Sequence, residues 1–221
     1  MAKKKLTILK LLLFYVVFWA VWAVRELWLP HILAEYHGLW VFELCQGALK
    51  LLVWTLPSVL LVGYYKEDAW LSRGDMLSNK VKWLPYLGVI AGFAAYNILA
   101  ALTLHKHLRV HEDFRIVSLL GYVVFVGVTE EAVFRGFFLN MFLKKMKTWQ
   151  AVGLTALLFL VIHFPIWQYN GILKQALLSG NFLGIIGLSV IFSWAFMKSK
   201  SIWPPILLHM CWNLFVTILN G

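Results

Sequence analysis

Charge is scarce in this sequence, and acidic charge is scarcest. Ten Asp and Glu stand against twenty Lys and Arg, and together they make up 14% of the 221 residues, where soluble domains carry about a quarter. With 62% hydrophobic residues, the chain has too little polar surface to be a water-soluble globule. Cysteine is limited to Cys45 and Cys211, both in apolar segments and without CxxC spacing. That indicates neither a disulfide framework nor a thiolate metal site. There is no His-Glu-x-x-His, so the helical zinc-peptidase motif is absent. No internal repeat, low-complexity tract or composition break divides the chain, which reads as one integral membrane domain over 1–221.

Apolar length is what the sequence has in abundance. Trp83 to Leu104, Thr148 to Leu173, Gln175 to Met197 and Ser201 to Gly221 contain no Asp, Glu, Lys or Arg, and about 20 apolar residues cross a hydrocarbon core. The pattern predicts an all-α, polytopic transmembrane helical bundle of about seven spans, roughly 7–29, 41–65, 83–104, 116–143, 149–164, 181–198 and 202–220. A half-helix at 165–180 is left open. Pro57 lies inside the second span and is expected to kink it. The basic start and apolar run at the N-terminus are followed by Trp19, Trp22 and Arg25 without a small-residue cleavage site, so the segment is expected to stay as a first helix.

The net charge of +10 is spread in short clusters between the spans: Lys3 to Lys5, Lys66 to Lys82, Lys144 to Lys147, and Lys198 with Lys200. That alternation follows the positive-inside rule and places the N-terminus in the cytoplasm. It accounts for the basicity through the lipid bilayer, and no nucleic-acid partner is expected. Residues 66–82 mix Trp70, Leu71, Met76 and Leu77 with charges, which suits either a short interfacial helix or a solvated loop.

Against this background VTEEAVFRGFF, residues 128–138, is anomalous. An ionisable residue at the bilayer centre costs about 2.5–3.5 kcal/mol, so such residues face partners or cavities. Glu131 and Arg135 are one helical turn apart and can pair, while Glu130 points about 100° away from that pair. Neighbouring carboxylates in a low dielectric repel, which favours a group able to take up a proton. A structural salt bridge would account for one Glu–Arg pair, but not for the second Glu. Two further helices carry polar residues four apart: Phe159 with His163, and His209 with Asn213. Counted from the cytoplasmic helix ends, Glu130, His163 and Asn213 fall at one depth, roughly 17–21 Å, with His209 one turn nearer the cytoplasm. Either histidine alone would suit an interhelical hydrogen bond; together the groups form a candidate site.

Lys50, Gln46 and Glu43 share a face of the second span, suited to an internal polar contact or to a substrate cavity. His105, His107 and His111 cluster in a loop that reads as plain polar surface, with metal binding the sharper alternative. Trp28, Trp83, Trp149, Trp167 and Trp203 fall near span ends as interfacial anchors.

The motifs Glu130-Glu131-Ala-Val-Phe-Arg135, Phe159-Leu-Val-Ile-His163 and His209-Met-Cys-Trp-Asn213, in this order on successive membrane helices, resemble the CPBP family of intramembrane proteases, also called the type II CAAX prenyl endopeptidase or Abi family. The resemblance covers about 116–216, the expected catalytic core, and leaves the first three helices unmatched. It implies a peptidase buried in a helical bundle and acting on a peptide or small protein at the membrane. Glu130 would be the general base, with His163 sharing the water. His209 and Asn213 would donate to the oxyanion, and Glu131, Arg135 and Phe159 would support them. Cys211 points about 160° from Asn213 and has no obvious base, so water is the expected nucleophile. No cofactor is favoured, although a divalent metal such as zinc on Glu130, His163 and His209 stays open. Bacterial members of the family suggest a bacterial cell membrane and a role in bacteriocin self-immunity or peptide processing. The competing reading is a non-catalytic immunity or peptide-binding membrane protein that uses the same polar cluster. A proton-coupled transporter would need inverted repeats, and the sequence has none.

Overall fold

The computed structural model describes residues 6–32, 36, 40–110, 114–117 and 119–219. Among them there is no strand, and helices follow one another in the predicted order: α1 (Ile8–Ile32), α2 (Trp40–Tyr64), α3 (Arg73–Ser78), α4 (Leu84–His105), α5 (119–143), α6 (Thr148–Val161), α7 (Phe164–Tyr169), α8 (Leu173–Leu178), α9 (Asn181–Ser199) and α10 (Trp203–Leu219). The chain is an all-α, multi-pass integral membrane protein. Five helical stretches are long and apolar enough to cross a membrane: Ile8–Leu29, Trp40–Tyr64, Leu84–Leu104, Thr148–Tyr169 and Asn181–Ser199. Of the other two predicted spans, α5 carries Glu130, Glu131 and Arg135, and α10 is shorter, at 17 residues. The open half-helix resolves into two short helices, α7 and α8.

α5 is the centre of the bundle and touches α2, α6, α9 and α10. Every residue from Thr129 to Phe142 is buried, so this helix is enclosed on all sides by protein rather than by lipid. Phe137, Phe138, Leu139, Met141 and Phe142 have no exposed surface. α1 shows the opposite pattern. Leu9, Leu13, Val16, Val17, Val24 and Trp28 are exposed along one face, while Tyr15 Oη donates to the Leu158 carbonyl (2.7 Å) and Trp19 Nε1 to the Val161 carbonyl (3.0 Å) on the other.

Pro57 does not break α2. The five residues before it, Leu51–Thr55, are π-helical, and the Leu56 N–H bonds back to the Leu51 carbonyl. The wider turn absorbs the residue that a proline ring would otherwise clash with. α5 also contains π-helical stretches, Leu119–Phe125 and Ala132–Leu139. α2 and α5 approach closely where glycine allows it: a Cβ at Gly47 would lie 2.2 Å from the Phe125 ring.

The 66–82 segment is folded against the bundle. Ser72 caps α3 by accepting from the Asp75 N–H (3.1 Å), and Met76 is buried. Asn140, at the end of α5, mimics a strand neighbour for this segment. Its Oδ1 accepts from the Leu71 N–H (2.7 Å), its Nδ2 donates to the Leu71 carbonyl (3.0 Å), and its own carbonyl takes the Trp70 N–H (3.0 Å). An ion pair from Lys145 to Asp68 (2.6 Å) fastens the same corner.

Candidate active site

Arg135 is fully buried, and α5 alone cannot satisfy it. Its Nη1 donates to Glu131 Oε1 at 2.9 Å, the i,i+4 pair expected from the spacing. Its Nη2 reaches across to α9, donating to the Ser189 carbonyl (3.0 Å) and hydroxyl (2.8 Å). The guanidinium carbon lies 4.6 Å from the Phe159 ring centre and 5.3 Å from that of Phe192, so two aromatic faces enclose a charge that lipid would reject. Ser193 Oγ donates to the Ser189 carbonyl (2.7 Å), one turn along α9.

Glu131 is the hinge between two partners. The same Oε1 that meets Arg135 lies 2.8 Å from His209 Nδ1 on α10, and a carboxylate opposite Nδ1 makes that nitrogen the N–H donor. Phe192 stacks on the imidazole at 4.9 Å and 19°. Held from behind and from one face, the ring turns Nε2 towards Glu130, whose Oε2 is 3.9 Å away. Glu131 Oε2 and Arg135 Nε are buried without a hydrogen-bond partner among the described residues.

Glu130 is 6% exposed and forms no hydrogen bond with any described residue. It lines a cavity of about 10 Å³ with Tyr15, Trp19, Trp22, Trp54 and Phe134, about the room one water molecule requires. α1 and α2 thus wall the carboxylate, although neither carries any of the three motifs. The adjacent Thr129 hydroxyl is 3.2 Å from that of Thr55, which ties α2 to this point of α5.

His163 follows α6 in the turn before α7. Its Nδ1 is 2.7 Å from the Phe159 carbonyl, which only accepts, so Nδ1 carries the hydrogen and Nε2 the lone pair. The ring lies edge-on to Phe159 at 5.1 Å and interacts electrostatically with Glu130. Phe159 therefore contacts Arg135, His163 and, at 6.0 Å, His209.

Asn213 departs from the expected depth. His209, rather than Asn213, is the α10 residue level with Glu130. Asn213 stands a turn further along, and its Nδ2 donates to the Tyr122 carbonyl at 2.9 Å. The expected level came from counting 1.5 Å per residue, but the π-helical stretch Ala132–Leu139 packs more residues into each turn, so Glu130 lies less deep than the count gives. Sequence reasoning also missed α9, whose Ser189 and Phe192 hold Arg135 and His209. Two serines four apart in an apolar span were the available signal.

Among the described residues no group of three or more His, Cys, Asp or Glu is spaced to hold a metal ion. Glu130, His163 and His209, the set expected for zinc, are among those residues and do not fit as a ligand cluster. Of the loop histidines, His111 and the side chain of His105 lie outside what the structure describes.

Residues 112–215 match the family model described as type II CAAX prenyl endopeptidase Rce1-like. That segment is similar to the Rce1-like family. The match spans just under half of the chain, from the residues before α5 to α10, and takes in all three motifs. The Rce1-like family is a protease family, and the match supports a membrane protease of the CAAX type. Comparison with curated proteins and with solved structures gave no match.

Proposed function

We propose that the protein is an intramembrane endopeptidase that hydrolyses a peptide bond of a small membrane-associated peptide or protein, using water activated by Glu130 and His163. The observation that carries this reading is Glu130 itself. It is a buried carboxylate with no hydrogen bond to any described residue, at a water-sized cavity, within a segment of a protease family. Glu130 takes a proton from the water while His163 Nε2 accepts its second hydrogen, and the oxygen adds to the scissile carbonyl. Negative charge then develops on the carbonyl oxygen. His209 in its protonated form donates to it through Nε2, which the Glu131 contact at Nδ1 directs to that side, and Asn213 donates with the amide hydrogen left beside its Tyr122 bond. The C–N bond breaks as the proton held on Glu130 passes to the leaving amine, which restores the starting carboxylate. Arg135 and Phe159 act as positioning residues, through Glu131 and His163 respectively.

The family's bacterial members suggest the setting: a bacterial membrane, with bacteriocin self-immunity or peptide processing as the task. A substrate trap tests the reading. Wild type and Glu130→Gln are expressed at matched, folded levels, and small membrane-associated peptides are compared by mass spectrometry. Intact peptides are expected to accumulate only with the variant. Matched profiles, with the biological activity retained by the variant, would instead leave a non-catalytic peptide-binding or immunity protein.

A further inference from the structure

A second polar cavity opens towards the other end of α1 and α2. It has a volume of about 60 Å³ and is lined by Arg25, Glu43, Gln46, Lys50, Gly121 and Tyr122, among others. Most of its charges are already committed. Arg25 is ion-paired with Glu26, and its Nη2 donates to Gln46 Oε1 at 3.0 Å. Glu43 is also engaged, and Gly121 accommodates it so closely that a Cβ there would lie 2.1 Å from Glu43 Oε2.

Lys50 is different. It is 7% exposed, lies within a membrane-spanning helix, and makes neither a hydrogen bond nor an ion pair with any described residue. Its neighbour is the Trp22 ring, whose centre lies 5.9 Å from Nζ. Arg25, Glu26, Glu43 and Glu130 act on it electrostatically, but none is within ion-pairing distance. Arg25 Nε, on another residue lining the cavity, is a second buried donor without a partner among the described residues. An unpaired cation inside a span is costly unless an anion meets it.

The cavity also adjoins the Glu130 site. Tyr122 lines it, and the Tyr122 carbonyl takes the Asn213 amide. The Thr55–Thr129 contact fastens the helix carrying Lys50 to the residue next to Glu130. Arg25, Gln46 and Lys50 all lie outside the family-matched segment 112–215, so the polar groups that would meet a ligand come from the first two helices, while Gly121 and Tyr122 of α5 close the cavity.

We propose that this cavity is a substrate-anchoring subsite in which Lys50, with Arg25 and Gln46 behind it, binds a single carboxylate of the peptide. The proposal takes its occupant from the peptidase reading. The group has two possible sources, a free C-terminus and an acidic side chain, and one experiment separates them.

Full-length Glu130→Gln protein in nanodiscs is titrated by fluorescence anisotropy with three labelled Leu/Ala/Ser peptides. One has a free C-terminal carboxylate, one is amidated, and one is amidated but carries a single internal Glu. The free acid is expected to bind about tenfold more tightly than the plain amide, the scale of one charge-assisted hydrogen bond. Lys50→Met in the same background is expected to erase that preference, and Lys50→Arg to keep it. If the Glu-bearing amide binds like the free acid, the subsite accepts a side chain. If it binds like the plain amide, the subsite reads the terminus. Either result supports the proposal. It is overturned if neither peptide that carries a carboxylate binds more tightly than the plain amide, if the preference survives Lys50→Met, or if the folded protein binds none of the peptides. Lys50→Met removes an unpaired charge and is expected to melt no lower than its parent, which separates lost binding from lost fold. Because the background cannot turn over by way of Glu130, failure here is independent of failure in the substrate trap.

Discussion

Replacing Arg135 by methionine removes a fully buried charge while keeping comparable length. Three hydrogen bonds are lost, to Glu131 Oε1 and to the carbonyl and hydroxyl of Ser189. Within membrane proteins such bonds average about 0.6 kcal/mol each, so their direct loss comes to about 2 kcal/mol. The larger effect falls on Glu131. With no exposed surface and one oxygen already unpartnered, it keeps only His209 as a partner, and breaking a buried pair by removing one member costs about 3–5 kcal/mol. The expected total for Arg135→Met is therefore about 3–5 kcal/mol, the bond losses being largely contained in that figure. Arg135→Met/Glu131→Gln removes the stranded charge and leaves an amide oxygen to accept from His209 Nδ1, so it is expected to recover more than half of the loss. Reversible unfolding in mixed micelles, run as a double-mutant cycle, measures both quantities. A single variant within about 1 kcal/mol of wild type, or two losses that simply add, would refute the reasoning that Glu131 and Arg135 stabilise each other as a buried pair.

Other expectations rest on separate contacts. Asn140→Ala removes the Oδ1 and Nδ2 bonds to Leu71, should cost about 1–3 kcal/mol, and should open the 66–82 segment to trypsin at Lys80 or Lys82; a digestion pattern like that of wild type would count against the latch. Gly47→Ala forces a methyl group against Phe125 and should destabilise by about 1–3 kcal/mol. Gly153→Ala, with nothing within 4 Å of the added Cβ, should instead stabilise α6 by about 0.5–1 kcal/mol; thermal unfolding of the two variants side by side checks both signs. Ser189→Ala takes one of two acceptors from Arg135 Nη2 and leaves the backbone carbonyl. Its expected cost is about 1 kcal/mol, and a loss as large as that of Arg135→Met would mean that the hydroxyl, not the ion pair, holds the arginine.

The helices were legible in the sequence because a membrane span has to satisfy its own backbone hydrogen bonds and be apolar over its length, and both requirements are local. For the same reason the Glu131–Arg135 contact and the shared face of Phe159 and His163 follow from a spacing of four. What crosses between helices was decided by tertiary structure alone. No spacing rule joins Glu131 to His209, 78 residues away, or Arg135 to Ser189, 54 residues away. Nor does one place α1 and α2 around Glu130. Depth counted along the chain put Asn213 beside Glu130, whereas the π-helical turns of α5 shorten its rise and His209 lies there instead. Lys50 is the sharpest case. Its face was readable from Glu43, Gln46 and Lys50 at helical spacing, but only the packing of α2 against α1 and α5 shows that its neighbours are already paired and that its own charge has no ion-pair partner among the described residues.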